Sequence, residues 1–209
     1  MTAPLVKVCG FTRVADVQAA VAAGVDWLGF NLWPHSKRAQ SAEQVRVLVA
    51  AIPKGPDGAR AVGLFVDAGP AEVRELAAFA GLQAVQLHGQ ERAEDWRGFP
   101  LPVIKALRVD GPEAIRSAEA WDCETILLDA PGPQPGGNGT SFDWSLAATL
   151  TSRRRVMVAG GLTPDNVAQA VRASRPFGVD VASGVELGPG LKDAALMQRF
   201  VEAARSVCE

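Results

Sequence analysis

A thiol and an amine stand two residues apart near the N-terminus of the chain. Lys7 and Cys9 alternate with two valines, a period of two that predicts a strand with the valines on one face and the reactive groups on the other. Gly10 follows and permits a sharp turn of the backbone. One interpretation is that Cys9 is a small apolar core residue. A lysine on the same face is harder to explain by packing, and it favours a base whose thiolate Lys7 helps to form.

A carboxylate closes a second apolar segment. Asp129 ends the run that begins at Thr125, on the face of the predicted strand that also carries Leu127. A helix cap or an internal salt bridge explains such a carboxylate as well as acid catalysis does. The residues that follow, 131–141, contain too many glycines and prolines for a packed element. They are interpreted either as a lid over a site or as a flexible connection.

A glycine-containing pair of residues follows each of the last two predicted strands. Gly160 and Gly161 come after one strand, and Ser183 and Gly184 come after the next. Each pair alone is explained by a turn. Exposed backbone N–H groups in these two loops form a recurrent phosphate site in (β/α)₈ barrels, so their paired position predicts phosphate binding.

Arg38 and His88 are the remaining candidates for a site. Arg38 lies in the loop after the second predicted strand, where a planar guanidinium is suited to bind a carboxylate through two hydrogen bonds. His88 follows the fourth predicted strand, and a proton shuttle and a structural hydrogen-bonding role are equally compatible with that position. Because the chain has only 2 histidines, no metal site is predicted.

The amino-acid composition limits the kinds of molecule that the protein is expected to bind. The 209 residues carry a formal net charge of −2 with both signs dispersed, which predicts a small-molecule partner and neither nucleic acid nor membrane. The 3 cysteines are unpatterned, which favours free thiols in a reducing compartment. With neither a signal pattern nor a membrane-spanning apolar run, the expected location is the cytoplasm.

Short apolar runs alternate with amphipathic runs along the whole chain and predict one α/β domain over residues 1–209. The eight candidate strands are Val6 to Cys9, Trp27 to Leu32, Ala61 to Val66, Ala84 to Leu87, Val103 to Leu107, Thr125 to Asp129, Arg155 to Ala159 and Val179 to Ser183. Eight such units fit a closed (β/α)₈ TIM barrel, although an open doubly wound sheet uses the same alternation. No G-x-G-x-x-G follows the first strand, which favours the barrel. A single mouth would then collect the polar strand residues, namely Lys7, His88, Lys105 and Asp129.

Three helix predictions are specific enough to test. Ser41 is expected to cap the second helix with Gln44 reaching back. The seventh is expected to begin at Thr163 with Pro164 in its first turn. A short fourth helix is expected over residues 91–97.

From end to end the chain resembles the phosphoribosylanthranilate isomerases of tryptophan biosynthesis. The shared sequence motifs are Lys7-Val8-Cys9-Gly10, Gly29-Phe30 through Pro34 to Arg38, Val62-Gly63-Leu64-Phe65-Val66, Val85-Gln86-Leu87-His88-Gly89, Leu127-Leu128-Asp129, Phe142-Asp143-Trp144, Gly160 through Val167 and Val179 through Glu186. The resemblance implies a cofactor-free barrel whose general base, general acid and carboxylate-binding arginine are Cys9, Asp129 and Arg38. It also implies a monomer or homodimer that acts on phosphoribosylanthranilate.

The sequence differs from the usual sequence of the family at a few positions. Asn31-Leu32-Trp33 replaces a common aromatic pair, Ala159 and Ala182 replace frequent serines, and Thr140 replaces a frequent lysine. Three other functions fit the sequence less well. The sister isomerase of histidine biosynthesis has an aspartate at the position of Cys9, as does a bifunctional enzyme that serves both pathways. A phosphate-binding barrel without catalysis would have no reason to combine Cys9 with Asp129.

Overall fold

The structure is a computed structural model and describes residues 3–55, 58–131 and 143–208. Eight parallel strands close into a barrel in the order of the chain. They are β1 Leu5–Cys9, β2 Trp27–Asn31, β3 Arg60–Phe65, β4 Ala84–Leu87, β5 Val103–Arg108, β6 Thr125–Asp129, β7 Arg155–Val158 and β8 Gly178–Val181. The barrel is closed by pairing of β1 with β8, in which Lys7 stands opposite Asp180. The prediction of a (β/α)₈ barrel is confirmed.

Helices cover the outside of the barrel. They are α1 Val14–Ala22, α2 Ala42–Ala50, α3 Pro70–Ala80, α4 Pro112–Ser117, α5 Ser145–Thr151, α6 Val167–Ser174 and α7 Ala194–Arg205. A two-stranded hairpin, β9 Glu186–Gly188 with β10 Leu191–Lys192, follows β8. None of the helices within the described ranges is long and apolar enough to cross a bilayer. The glycine-rich segment interpreted as a lid or a connection lies, from residue 132 to 142, outside the described residues.

The alternation along the strands divides the core into two parts. Outward-facing side chains such as Val6 and Val8 join the large cluster shared with the helices. Inward-facing apolar side chains, including Ile104, Leu127 and Met157, form a smaller cluster that fills the barrel. Side chains therefore fill the interior of the barrel below its mouth. Polar side chains at inward-facing positions contact side chains of neighbouring strands, as Lys7 contacts Asp180.

The prediction for α2 is confirmed. Ser41 accepts a hydrogen bond from the backbone N–H of Gln44, whose side chain accepts one from the backbone N–H of Ser41. Two backbone amides at the start of the helix, which would otherwise lack acceptors, are satisfied in this way. The helix begins shortly after the loop in which Arg38 lies.

The predicted start of the helix after β7 is wrong by three residues. The Thr163 hydroxyl accepts a hydrogen bond from the Asp165 N–H, as expected of a cap. However, the Asn166 side chain bonds back to the Thr163 amide and the Gly161 carbonyl. These bonds keep residues 163–166 in a separate turn, so the regular helix begins at Val167.

The predicted fourth helix is also wrong, because only one 3-10 turn, Ala93–Trp96, follows β4. The segment before it is fixed by Glu91, whose carboxylate accepts hydrogen bonds from the amides of Asp67 and Gly89. Just beyond it, Gly98 adopts a φ of +69° and turns the chain away. Arg92 and Arg97, on either side of the 3-10 turn, have extended backbone, so the turn does not continue into an α-helix.

Candidate active site

The carboxyl ends of the strands surround a cavity of about 560 Å³. Of the eight residues predicted to form the site, seven line it: Cys9, Arg38, His88, Asp129, Gly160, Gly161 and Ser183. The eighth, Gly184, adjoins Ser183 in a short 3-10 helix, Ser183–Val185. Residues from six different strand ends or loops are therefore brought to one place.

Cys9 ends β1 and is buried, with 7% of the residue exposed. The glycine opposite it on β2 makes room for the thiol, since a Cβ atom at Gly29 would stand 2.7 Å from the Cys9 Sγ atom. Gly10 then turns the chain with a φ of +90°. Any side chain at Gly10 would overlap the stem of Arg38, so this glycine also seats the arginine beside the thiol.

Lys7 shares the inner face of β1 with Cys9, as predicted, and is fully buried. Its Nζ atom lies 2.9 Å from Asp180 Oδ1 on β8. Burial of the ammonium lowers the pKa of Lys7, but the Asp180 carboxylate, together with the neighbouring Cys9, raises it by more and the net shift is upward. The lysine is therefore charged.

The net effect on the thiol differs from the expectation that Lys7 would make Cys9 acidic. Burial raises the pKa of Cys9, and Asp180 raises it further, while Lys7, Lys192 and Arg38 offset only part of the increase. Lys7 acts in the expected direction, but desolvation of the thiolate is the larger effect. At neutral pH the thiol form of Cys9 is thus favoured.

Asp129 ends β6 and is buried, with 4% of the residue exposed. Its Oδ1 atom accepts a hydrogen bond of 2.9 Å from the backbone N–H of Ala130. Its Oδ2 atom lies 3.4 Å from His88 Nε2, in an orientation that does not complete a hydrogen bond. One carboxylate oxygen is thus fixed by the backbone, and the other faces an imidazole at the cavity.

His88 is held by a second polar side chain on β4. The Gln86 Nε2 atom lies 3.4 Å from His88 Nδ1. Among the described residues, His88 Nε2 and Gln86 Oε1 are buried without a hydrogen-bond partner. Because both side chains line the cavity, these two atoms are available to a bound molecule.

Arg38 reaches a carboxylate on the hairpin after β8. Its Nε atom donates to Glu186 Oε1 at 2.8 Å and its Nη2 atom donates to Glu186 Oε2 at 2.6 Å. Glu186 Oε1 also accepts a hydrogen bond of 2.7 Å from Lys192. The buried Lys192 ammonium donates in turn to the backbone carbonyls of Cys9 and Ala182. A network of charged groups therefore joins Arg38 to the end of the strand that carries the thiol.

The glycine loops after β7 and β8 lie against each other. Gly160 and Gly161 have φ values of +83° and +61°, a conformation that glycine adopts readily. A Cβ atom at Gly160 would stand 2.5 Å from the Ala130 nitrogen, and one at Gly184 would overlap the Leu162 carbonyl oxygen. The amides of Gly160 and Gly161 have no acceptor in the described part of the chain, which leaves them free to bind an anion at the mouth.

Sequence reasoning missed three charged residues of the site and misplaced a fourth. Asp180 lies between two valines of β8, a signal for a buried carboxylate, whereas nothing local marks Glu186 or Lys192. Lys105 was expected at the mouth, but it faces outward and binds Glu91 at 2.5 Å with its ammonium over the Trp121 ring. Its position on β5 alternates with the inward-facing Ile104, which is why it does not reach the cavity.

The comparisons with known proteins agree on one family. The sequence profile described as N-(5'phosphoribosyl)anthranilate (PRA) isomerase matches residues 6–203. The N-(5'-phosphoribosyl)anthranilate isomerase of Myxococcus xanthus is 50% identical over 207 residues, which cover 97% of this chain and 96% of the relative.

Two solved structures extend the likeness to the fold. Monomers of dimeric phosphoribosylanthranilate isomerase from Thermotoga maritima have a TM-score of 0.87 at 36% identity, with 97% of this chain and 99% of that chain covered. A phosphoribosylanthranilate isomerase in complex with reduced 1-(o-carboxyphenylamino)-1-deoxyribulose 5-phosphate has a TM-score of 0.85 at 36% identity and the same coverage.

Proposed function

Because the chain belongs to the N-(5'-phosphoribosyl)anthranilate isomerase family, we propose that Cys9 and Asp129 carry out its proton transfers. The chain is an isomerase of tryptophan biosynthesis that converts N-(5-phosphoribosyl)anthranilate into 1-(2-carboxyphenylamino)-1-deoxyribulose 5-phosphate. The relative from Myxococcus xanthus is named for the enzyme of tryptophan biosynthesis and not for the sister enzyme of histidine biosynthesis. The observation that carries the assignment of roles is that a thiol and a carboxyl group, from β1 and β6, open to one cavity.

In the proposed mechanism Asp129 begins as the acid. It protonates the ring oxygen of the furanose, the C1′–O bond breaks, and the anilino nitrogen lone pair forms a protonated Schiff base. The Cys9 thiolate then removes the proton from C2′, and the electron pair released neutralises the iminium as an enolamine. Tautomerisation of the enolamine gives the ketone. Each step moves only protons and electron pairs, so the mechanism needs neither a cofactor nor a metal.

The substrate carries an anionic group at each end, and the cavity offers a distinct partner for each. Arg38 is proposed to bind the anthranilate carboxylate through charge-assisted hydrogen bonds. The 5′-phosphate is proposed to sit against the amides of Gly160, Gly161, Ser183 and Gly184, in the loops that commonly bind phosphate in such barrels. His88 is proposed to bind substrate beside Asp129. Holding both ends would set C2′ near the thiol.

The chain is further proposed to act as one domain in the cytoplasm, as a monomer or homodimer. Strands β1 to β8 form a single barrel, and the isomerase of Thermotoga maritima is dimeric. Analytical ultracentrifugation at several concentrations decides between the two states. Limited proteolysis tests the single domain, since one protected fragment of nearly full length is expected.

Turnover of phosphoribosylanthranilate by Cys9→Ser and Asp129→Asn tests the assignment of roles. Each variant is expected to lose about 10²- to 10⁴-fold in kcat, the usual contribution of a positioned acid or base. Cys123→Ser is the matched control, because Cys123 is a partly buried thiol outside the cavity. If Cys9→Ser retained kcat within about threefold of the parent, well short of that contribution, Cys9 would not be the base.

A further inference from the structure

A guanidinium group has two edges that can each bind a carboxylate, and Arg38 has used only one. Glu186 occupies the edge formed by Nε and Nη2. The Nη1 atom makes no hydrogen bond within the described ranges. Because Arg38 lines the cavity, the edge formed by Nη1 and the second Nη2 proton remains for another carboxylate.

Glu186 is itself fixed from two other directions. Lys192 donates to its Oε1 atom at 2.7 Å, and the backbone N–H of Gly190 donates to the same oxygen at 3.2 Å. Lys192 is buried and also bound to the carbonyl of Cys9. The carboxylate that holds Arg38 is thus tied to the barrel, with the hairpin β9–β10 as its support.

The charges of this cluster are clearest at Arg38 and Glu186. Burial raises the pKa of Glu186, but the hydrogen bonds from Arg38 and Lys192 outweigh it and the net shift is downward, so the group is a carboxylate. Glu186 in turn raises the pKa of Arg38, so the guanidinium is a cation, whereas burial lowers the pKa of Lys192. The unoccupied edge of Arg38 therefore presents charged donors to the cavity, which complement a carboxylate of a ligand.

We propose that Glu186 is a positioning residue that orients Arg38 so that its free edge faces the carboxylate of the substrate. The inference rests on the proposed function, in which Arg38 binds the anthranilate carboxylate. Without Glu186, the flexible arginine side chain would have to be ordered by the substrate itself, at the expense of binding free energy. The hairpin β9–β10, although it is separate from the barrel sheet, then serves recognition of the substrate carboxylate.

Equilibrium binding to two ligands tests this role. The first ligand is the product, 1-(2-carboxyphenylamino)-1-deoxyribulose 5-phosphate, and the second is 1-phenylamino-1-deoxyribulose 5-phosphate, which lacks only the carboxylate. By isothermal titration calorimetry, Glu186→Gln is expected to weaken binding of the first ligand about tenfold or more, as for a charge-assisted contact. Binding of the second is expected to change by less than about twofold.

The control removes the same charge from an exposed pair far from the cavity lining, Arg116 with Glu113. Glu113→Gln should leave both affinities unchanged. Equal weakening of both ligands by Glu186→Gln would mean that Glu186 only maintains the fold. Tighter binding of the carboxylated ligand would mean that Glu186 competes with the substrate for Arg38. Either result overturns the proposal.

Two further measurements keep the outcomes separate. If Glu186→Gln does not fold, Glu186→Asp decides. Aspartate keeps a carboxylate at this position, but its side chain is one methylene shorter, which draws the carboxylate away from the two Arg38 nitrogens. Selective weakening of the carboxylated ligand is then expected, and unchanged affinity contradicts the positioning role. The proposed function itself fails differently: Arg38→Ala would then leave the affinities of both ligands equal to those of the parent.

Discussion

Lys7 on β1 and Asp180 on β8 form a buried ion pair, Nζ to Oδ1 at 2.9 Å, across the seam that closes the barrel. The ammonium is completely buried and the Asp180 side chain is 10% exposed. Such a pair contributes little relative to an apolar pair of similar volume, yet the loss of one partner leaves an uncompensated charge. A substitution that removes only one of the two charges should therefore destabilise the protein.

The two single substitutions in this pair should together lower the free energy of unfolding by more than the double substitution does. Lys7→Met and Asp180→Asn are each expected to lower the free energy of unfolding by about 3–5 kcal/mol, the effect of an isolated buried charge. The double variant should be less destabilised than the sum of the two. Urea denaturation measures all three, and strictly additive losses would show that the two charges do not interact.

The dependence of activity on pH should report the raised pKa of Cys9. Because only the thiolate is a base and burial raises the pKa of the thiol, the active fraction increases as pH rises. The acidic limb of kcat/KM is expected above the ordinary thiol value of about 8.5. Lys7 lowers the pKa of Cys9, so Lys7→Met should move this limb to still higher pH.

Thiolate absorbance near 240 nm provides a measurement that does not depend on turnover. It should be read in a background with Cys123→Ser and Cys208→Ser, so that Cys9 is the one thiol left of the 3 in the sequence. A midpoint below the ordinary value of about 8.5 would show that the positive charges around Cys9 outweigh its burial.

The barrel could be predicted from the sequence because its signals are local. Strand β1 alternates apolar and reactive residues, and β6 ends in a carboxylate after an apolar run. In a parallel barrel every strand delivers its last residue to the same end. This rule alone brings Cys9 and Asp129 to one mouth, without any knowledge of their separation.

The partners of these residues could not be predicted, because they depend on contacts between distant segments. Arg38 and Glu186 are 148 positions apart, and Lys192 and Cys9 are 183 apart. The net pKa of Cys9 likewise depends on how completely the closed barrel excludes water. Lys105 is predicted to lie at the mouth but faces the outside of the barrel, where it binds Glu91. Neighbouring residues of a strand face opposite sides of the sheet, and Lys105 is adjacent to the inward-facing Ile104.

Loss of the Arg38 side chain should weaken use of the substrate. Arg38→Ala is expected to lower kcat/KM by tens to thousands of fold, on the order of 2–4 kcal/mol for a charge-assisted bidentate contact. Steady-state kinetics with phosphoribosylanthranilate measure it, and Arg116→Ala at the exposed pair with Glu113 is the matched control. An unchanged kcat/KM would remove Arg38 from the site.

The phosphate position is best tested at Ser183. Valine at Gly184 would obstruct phosphate, but any side chain there also overlaps the Leu162 carbonyl oxygen and disturbs the loop itself. Ser183→Asp instead places a negative charge on the partly exposed cavity wall. It should raise KM about tenfold or more by repulsion at short range, whereas Ser183→Ala should have little effect. Equal KM values for the two variants would locate the phosphate elsewhere.

Gln86 should determine which nitrogen of His88 carries the proton. The amide nitrogen of Gln86 faces His88 Nδ1 at 3.4 Å, so the amide donates and Nδ1 accepts. The proton then resides on Nε2, which faces Asp129 Oδ2 at 3.4 Å. Such contacts are often long in an empty site and shorten when substrate binds.

The tautomer can be measured because the chain has only 2 histidines. In a His35→Asn variant, ¹⁵N–¹H correlation spectra through the imidazole are expected to show His88 with its proton on Nε2. His88→Ala should lower kcat on the order of 10- to 100-fold and also raise KM, because it removes the imidazole that faces Asp129 Oδ2 and is proposed to bind substrate. Gln86→Leu removes the amide that selects the tautomer and should lower kcat in the same direction. A proton on Nδ1 in the parent spectrum would mean that Gln86 accepts rather than donates, and that His88 presents a lone pair to Asp129.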